Sequence, residues 1–433
     1  MAMTSLVMII VILAILLVIG VPISYSIGIA SLFTILQTVP LDISVVTGAQ
    51  RIFVGMSKFS LTAIPFFILA GNLMNQGGIA KRLVNFVMAI LGKLPGALLV
   101  TNVGANALFG AISGSASAAA AAVGSMVREG EEEQGYDVAL CAATNGASAP
   151  SGLLIPPSNA LITYSLAAGG TSVAALFMAG YLPGIIWALA CMVVAIIIAK
   201  KKGYKGTPGK FSWANLGKAT LQAIPSLSLI VVVIGGIIIG AFSATEGSAI
   251  AVVYALILGI CYRNISLTSF WDIVVDSAKM SGMVVFLIGV SNILGWVMAF
   301  LQIPQAVSAA LLSITDNQYV ILLIMNVILL VAGTFMDVTP AILIFTPLFL
   351  PIVQTFGMDP IHFGLVLVYN LCIGNITPPV GNTLFVAIKV GRSSLAKTMP
   401  YMLWYYVAIL VGLLLVTYIP AISMILPQMA GLA

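Results

Sequence analysis

Ile155-Pro156-Pro157-Ser158-Asn159 and Thr377-Pro378-Pro379-Val380-Gly381-Asn382 are the two stretches whose reading decides the fold of this chain. They stand about 220 residues apart in a chain of 433. Each follows buried-looking asparagines: Asn145 precedes the first, Asn370 and Asn375 the second. Other pieces recur in the same order near the same offset. Gly20-Val21-Pro22-Ile23-Ser24 is answered by Gly240-Ala241-Phe242-Ser243, Asn72-Leu73-Met74 by Asn292-Ile293-Leu294, and Asn102-Val103 by Asn326-Val327. No single match carries the argument; the common order and spacing do. In both halves a polar, helix-breaking cluster interrupts an apolar run. That is the pattern of a secondary transporter whose site lies between two structural repeats.

Composition places the repeats in a membrane. The chain is 61% hydrophobic and 7% charged, with a mean hydropathy of +1.17. A soluble domain carries about 25% charged residues, so soluble classes are excluded and the chain's surroundings are a lipid bilayer, with no nucleic acid as partner. The length allows about 10 to 14 membrane segments. The first apolar run, residues 6–20, has no basic leader and no small-residue cleavage site, and reads as a retained helix. Lys200, Lys201, Lys202, Lys205, Lys210 and Lys218 crowd one linker that holds no acid. The positive-inside rule puts that linker in the cytoplasm. Residues 1–21 and 398–433 carry no Lys or Arg and are free to lie outside. Each half then crosses an odd number of times, which makes the repeats inverted.

These features give an all-α polytopic membrane protein. Its first membrane repeat spans 1–199, the basic linker 200–219 and the second repeat 220–433. Apolar runs predict helices near 5–37, 60–75, 83–112, 138–154, 160–180 and 181–199, then near 224–243, 247–262, 282–301, 319–333, 361–373 and 400–420, several of them long enough to hold two segments or a bent pair. The linker stretch 203–218 cannot span and reads as a surface segment or short interfacial helix. Two stretches fit spanning helices poorly, one near 104–127 and one near 333–353. Each has a small, polar or Pro-marked centre between apolar flanks. Irregular backbone at membrane depth is tolerated only when it is buried in protein or lines a cavity. Both therefore read as re-entrant hairpins, and 145–159 and 370–383 read as broken helices.

The chemistry of the breaks is specific. Proline removes backbone donors and frees carbonyl oxygens, and glycine lets the chain turn. Asn145, Gly146, Ser148 and Ser151 in one cluster, and Gly374, Asn375 and Thr377 in the other, add neutral oxygens. Such oxygen-only sets suit an alkali cation such as Na⁺. Half-helix N-termini created by the break favour an anionic substrate group. The competing reading is a Pro-kinked helix whose polar groups re-satisfy its own carbonyls. Ser113, Ser115 and Ser117 would sit at the first hairpin tip facing Asn145 and Ser148, although the Gly/Ala/Ser tract 104–126, with Gly110-xxx-Gly114, also reads as plain helix packing. Asp337 lies in the second tip, where a carboxylate at membrane depth marks an ion path. Glu246 is equally well an N-cap at a membrane edge.

Other features read as structure. The run 128–134 is a solvated loop. Lys389 and Arg392 snorkel to the interface or attract an anion. Cys141, Cys191, Cys261 and Cys372 are small buried hydrophobes, and His362 is a loop or interface residue. No metal-ligand spacing and no Gly-x-x-x-x-Gly-Lys-Ser/Thr phosphate loop occurs, so no cofactor is expected beyond Na⁺ as coupling ion.

At this point the motifs look familiar. Residues 240–249, Ile155-Pro156-Pro157-Ser158 and Asn375-Ile376-Thr377-Pro378-Pro379-Val380-Gly381-Asn382 resemble those of the large membrane subunit of TRAP (tripartite ATP-independent periplasmic) transporters, over essentially the whole chain. Gly247 departs from the alanine usual after Glu246. The resemblance implies an elevator-type importer with a scaffold and a transport domain, in the bacterial inner membrane, coupled to Na⁺. It implies a small four-helix membrane subunit, a soluble periplasmic substrate-binding protein, and organic anions such as C4-dicarboxylates or sialic acids. The small subunit would be a separate polypeptide. Ser113, Ser115, Asn145 and Ser148 would fall at one ion site, and Thr334, Asp337, Thr339, Gly374, Asn375 and Thr377 at the other. Ser117, Ser151, Asn159 and Asn382 are candidate substrate contacts. A stand-alone ion-coupled carboxylate carrier is the alternative. An intramembrane enzyme would need a nucleophile–base pair or metal ligands within helices, and none is evident.

Overall fold

Serine, asparagine and aspartate at helix starts, and glycine at helix ends, set boundaries that the apolar runs alone leave open. In the computed structural model, which describes residues 2–206 and 212–433, every helix or strand assigned is a helix. The first part holds α1 (Ala2–Val18), α2 (Ile23–Ile35), α3 (Leu41–Met56), a 3₁₀ turn (Phe59–Thr62), α4 (Ala63–Gln76) and α5 (Ile79–Leu91). Then come α6 (Ala97–Ser113), α7 (Ala116–Glu133), α8 (Val138–Ser148), α9 (Ser151–Leu154), α10 (Asn159–Ala167) and α11 (Val173–Lys202). The second part holds α12 (Trp213–Ile238), α13 (Ala244–Cys261), α14 (Leu267–Phe300) and α15 (Ile303–Ile314). It ends with α16 (Gln318–Gly333), α17 (Val338–Gln354), α18 (Pro360–Gly374), α19 (Asn382–Val390), α20 (Leu395–Tyr418) and α21 (Ala421–Met429).

Among the described residues, five helices are long and apolar enough to cross a membrane, or seven if each bent pair counts as one span. The bent pairs are α3 with α4, broken by 59°, and α8–α9 with α10, broken by 49°. Packing sorts the helices into two bundles. In one, α14 lies on α2, α3 and α4, α13 on α4, and α12 on α5 and α13. In the other, α11 packs on α6, α20 and α21, α16 and α17 on α18, and α19 on α7 and α8. Each bundle draws on both sequence halves. The seam between them is formed where α14 meets α17 and where α4 and α5 meet α6.

Several expected boundaries move. The run 5–37 is two helices, because Gly20 turns the chain at φ 89° and Pro22 starts the next helix. The run 83–112 is α5 and α6, separated at Gly96, φ 71°. The division at 180/181 is absent: α11 runs unbroken for 30 residues with Pro183 inside it. Helices α3, α15 and α21 fall outside every expected run. Of the linker, Lys200–Lys202 close α11 and 213–219 open α12, so its ends are helical. Lys210 lies outside the described residues.

Side-chain surroundings correct three more readings and agree with a fourth, the cap at Glu246. The stretch 128–133 is no loop but the end of α7, and Glu131 is only 6% exposed. His362 is buried inside α18, with Nδ1 2.5 Å from Ser423 Oγ. Cys261 is exposed, whereas the other three cysteines are buried as expected. Glu246 closes a capping box with Ser243, whose backbone N–H donates to Glu246 Oε2 at 2.7 Å. A Cβ on the adjacent Gly247 would come within 2.9 Å of Ile237 Cδ1, so the small residue there fits the packing of α13 on α12.

Candidate functional site

The first tip joins α6 to α7. Ser113 ends α6, Gly114 turns left-handed at φ 62°, and Ser115 caps α7 by accepting from the Ala118 N–H at 3.3 Å. Ser113 Oγ donates to Ser115 O, and Ser115 Oγ lies 3.2 Å from Ser117 Oγ, so the tip serines bond chiefly to their own turn. The second tip joins α16 to α17. Thr334 closes α16 and Asp337 caps α17, its Oδ1 accepting from the Val338 N–H at 2.9 Å. Thr334 O also accepts from the Val380 N–H at 3.1 Å, which ties this tip to the second Pro-Pro break.

The broken helices cross behind the tips. In the first, α8 and α9 lead to Pro156-Pro157, joined by a cis peptide, and Ser158 caps α10. In the second, α18 leads to Pro378-Pro379, also cis, and α19 begins at Asn382. Hairpin and broken helix meet in each half at a glycine crossing. A Cβ on Gly110 would lie 2.9 Å from Gly152 Cα, and one on Gly333 would lie 3.1 Å from Gly374 Cα. Gly110 and Gly333, Ser115 and Asp337, Gly152 and Gly374, and Asn159 and Asn382 are each about 222 residues apart.

A buried amide network backs each crossing. Asn106 Nδ2 lies 3.0 Å from Asn145 Oδ1, 2.9 Å from Ser148 Oγ and 2.8 Å from Asn102 Oδ1. Asn145 Nδ2 donates to Ala120 O at 2.8 Å, fastening α8 to α7. Ser151 Oγ donates to Ser148 O at 2.7 Å. In the other half Asn370 Nδ2 donates to Asn326 Oδ1 at 2.9 Å, and Asn326 Nδ2 to Thr417 Oγ1 at 3.1 Å. Gly146 packs against α19, and Thr377 Oγ1 donates to Ile373 O.

One cavity of about 190 Å³ gathers the tips and the half-helix starts. It is lined by Ser115, Ser117, Asn159, Thr163, Asp337, Thr339, Asn375 and Asn382, with Ile64, Ile68, Met280 and Val284 from the other bundle. The structure thus brings Ser115, Ser117, Asp337, Thr339, Asn375, Asn159 and Asn382 to one space. Ser113, Asn145, Gly146, Ser148, Ser151, Thr334, Gly374 and Thr377 do not line it and sit in the turns and crossings behind. No lysine, arginine or histidine is in the lining, so the polar groups offered there are amides, hydroxyls, backbone groups and the Asp337 carboxylate. A larger depression of about 540 Å³ between α16, α18 and α21 contains none of these residues.

The oxygen chemistry fits a hard cation. Asn375 Oδ1 and Thr383 Oγ1 are buried without a hydrogen-bond partner, and the Thr383 N–H donates to Asn375 O at 3.2 Å, so the two residues are neighbours. Asn375 lines the cavity together with Asp337, and neutral oxygens with a carboxylate suit Na⁺ better than a softer metal. Sequence reasoning did not single out Asn106, Asn326 or Thr383 as functional. The signal for the first two was an asparagine in the apolar arm of each hairpin.

Residues 10–422 match the family described as "Tripartite ATP-independent periplasmic transporter, DctM component". The chain belongs to this family. It is 50% identical over 416 residues to the uncharacterized protein YgiK of Salmonella typhimurium, covering 96% of this chain and 95% of that one. It is 40% identical to the isethionate TRAP transporter permease protein DctMQ of Oleidesulfovibrio alaskensis, over 95% of this chain and 64% of that longer protein. It is 38% identical to the C4-dicarboxylate TRAP transporter large permease protein DctM of Pseudomonas aeruginosa, over 94% and 95% of the two chains. In fold it is similar to the YdaH transporter of Alcanivorax borkumensis, with a TM-score of 0.58 at 15% identity, covering 83% of this chain and 85% of that one. The chain is a multi-pass large permease of the TRAP family, in the bacterial inner membrane.

Proposed function

We propose that this subunit imports a small organic anion, a carboxylate such as a C4-dicarboxylate or sialic acid, coupled to Na⁺. A soluble periplasmic binding protein delivers the anion, and a small four-helix membrane subunit completes the complex. The observation that carries the reading is the single cavity where two tips and two half-helix starts converge. Its lining is neutral except for Asp337. An unneutralised carboxylate repels an anion, so a bound cation at the second tip raises affinity for the substrate. That is a coupling free energy between two ligands, and it is reciprocal.

The same reading assigns orientation and movement. Lys202 Nζ pairs with Asp137 Oδ2 at 2.6 Å, Arg128 reaches Val390 O, and Lys201 lies over Trp404. These contacts gather basic residues at one end of the molecule, the cytoplasmic end by the positive-inside rule. Tyr319 and Tyr418, with Asp359 nearby, mark the opposite end. The first hairpin then opens to the cytoplasm and the second to the periplasm, as inverted repeats require. The bundle holding both hairpins is the transport domain; the bundle of α1–α5 and α12–α15 is the scaffold.

The test is uptake of radiolabelled succinate, N-acetylneuraminate and isethionate into proteoliposomes under an inward Na⁺ gradient. It is run with and without the small subunit and the binding protein. Concentrative uptake requiring all components and Na⁺ is the expected result. Uptake unchanged when K⁺ replaces Na⁺ would overturn the coupling, and uptake by this chain alone would make it a stand-alone carrier.

A further inference from the structure

Lysine at the middle of a membrane span is costly and marks a function when it faces a cavity. Lys58 is such a residue. It sits at the 59° break between α3 and α4, with 16 helical residues on one side and 14 on the other. It is exposed, and none of the ion pairs among the described residues uses it. It lines a second cavity, of about 160 Å³, with Ser291, Asn292, Gly295 and Pro347.

This second cavity continues the first along the seam between the bundles. Three helices line both. From the tip cavity to the second, α10 runs from Thr163 to Leu166, α14 from Val284 to Ser291 and α17 from Thr339 to Leu343. Along α14 the two linings come as close as Val284 and Ile288, one helical turn or roughly 6 Å apart. The direction is toward the end where Asp359 and Tyr418 lie, because α10 ends there. The tip cavity has no cation in its lining; the second has one, with hydroxyl and amide groups beside it.

We infer that the Lys58 cavity is a second anion site on the substrate path, a carboxylate station between the outer face and the tip cavity. The inference rests on the reading that this chain moves an organic anion. An ammonium group that is unpaired within the protein gives a charge-assisted hydrogen bond to a carboxylate. Asn292, whose Nδ2 donates to Ile288 O, keeps a second amide N–H that can orient it, while Ser291 Oγ donates to Leu287 O. Lys58, Ser291, Asn292 and Gly295 belong to the scaffold side of the seam, whereas Leu166 and Leu343 on the facing wall belong to the bundle that holds the tips.

Gly295 provides the probe. It lines the cavity and has nothing within 4 Å of where a Cβ would stand, so Gly295→Cys places a thiol there without a clash. Cys261 is the exposed native thiol and is removed as Cys261→Ser. The full chain in phosphatidylcholine nanodiscs is labelled with an anionic and a cationic methanethiosulfonate, with and without succinate, N-acetylneuraminate or isethionate, and with succinamide as the neutral control. The expected result is faster labelling by the anionic reagent and protection by at least one anion, not by succinamide. Lys58→Met should raise the half-protecting concentration about tenfold or more, and Lys58→Arg should keep it near the original value. No labelling by either reagent, no protection by any of the anions, or equal protection in Lys58→Met overturns the site. Protection by added phosphatidylglycerol alone would make it a lipid-headgroup site and overturn it too. Protection without uptake in the reconstituted complex would sink the transport reading and leave the anion site standing.

Discussion

Asp337 and Ser115 hold equivalent places, each capping the helix that leaves a tip, yet one is ionisable and the other is not. On the proposed Na⁺ coupling, the difference puts the stronger cation demand at the second tip. Asp337→Asn keeps the cap's shape and removes the charge, so the Na⁺ concentration for half-maximal uptake should rise about tenfold or more; Ser115→Ala should move it less. Uptake rate against Na⁺ concentration checks this, and an unchanged midpoint in Asp337→Asn would remove the residue from the ion site. A second residue acts on stability. Burial raises the carboxyl of Asp137, but hydrogen bonds from Lys202, Tyr401 and the Ala139 N–H outweigh it and bring the value down from 3.8 to about 2. A lowered value stabilises the fold above the unfolded value, and that contribution is lost as pH falls from about 4 to about 2. Thermal unfolding in detergent should therefore weaken over that window in the native chain, and less in Asp137→Asn. Residue roles were legible where chemistry is local: a capping Ser243 and Glu246, or an aspartate between apolar flanks. Asn106 and Lys58 were not, because their meaning comes from what another helix brings opposite them.

At the scale of elements, the crossings of hairpin on broken helix depend on missing side chains. A methyl on Gly374 would overlap the Gly333 backbone, and one on Gly152 the Gly110 backbone, and backbone cannot step aside as a flexible side chain can. Gly374→Ala and Gly152→Ala should each destabilise by about 1–3 kcal/mol or more. Gly235→Ala, in α12 with nothing within 4 Å, should be neutral or stabilise by about 0.5–1 kcal/mol. Thermal midpoints of the three variants in one detergent decide the matter; equal midpoints would mean that the crossings are loose. The Pro-Pro breaks and both tips were readable, because proline, glycine and hydroxyls stand out against an apolar run. The boundary at Gly96 was not, and Gly20, although it closes the run 6–20, did not divide the helix expected over 5–37. A turn of one glycine amid apolar residues barely dents hydropathy, so α1 merges with α2 and α5 with α6. The opposite happened at 180/181, where a division was expected and α11 continues.

At the scale of the whole molecule, the two bundles interleave in sequence: each half supplies scaffold helices first and hairpin and broken-helix elements after. On the proposed function, a hairpin entering from each side and a cavity between their tips would give a site reachable from both faces by moving one bundle against the other. This arrangement needs the two halves to have opposite senses, which makes a prediction about sidedness. In a Cys261→Ser background, Asp316→Cys and Gln428→Cys should react with a membrane-impermeant maleimide in intact spheroplasts. Lys205→Cys and Arg392→Cys should react only after permeabilisation. Asp316 and Gln428 belong to the end marked by Tyr319 and Tyr418, and Lys205 and Arg392 to the end marked by Lys202 and Asp137, so the four positions test one axis. If Gln428→Cys and Lys205→Cys react from the same side, α20 and α11 do not both cross, and opposite senses for the two halves fail. If the sides are as assigned, the second hairpin opens toward the periplasm. On the proposed function, Lys58 then stands between that mouth and the tips, where an incoming anion would pass before Na⁺ at Asp337 could hold it.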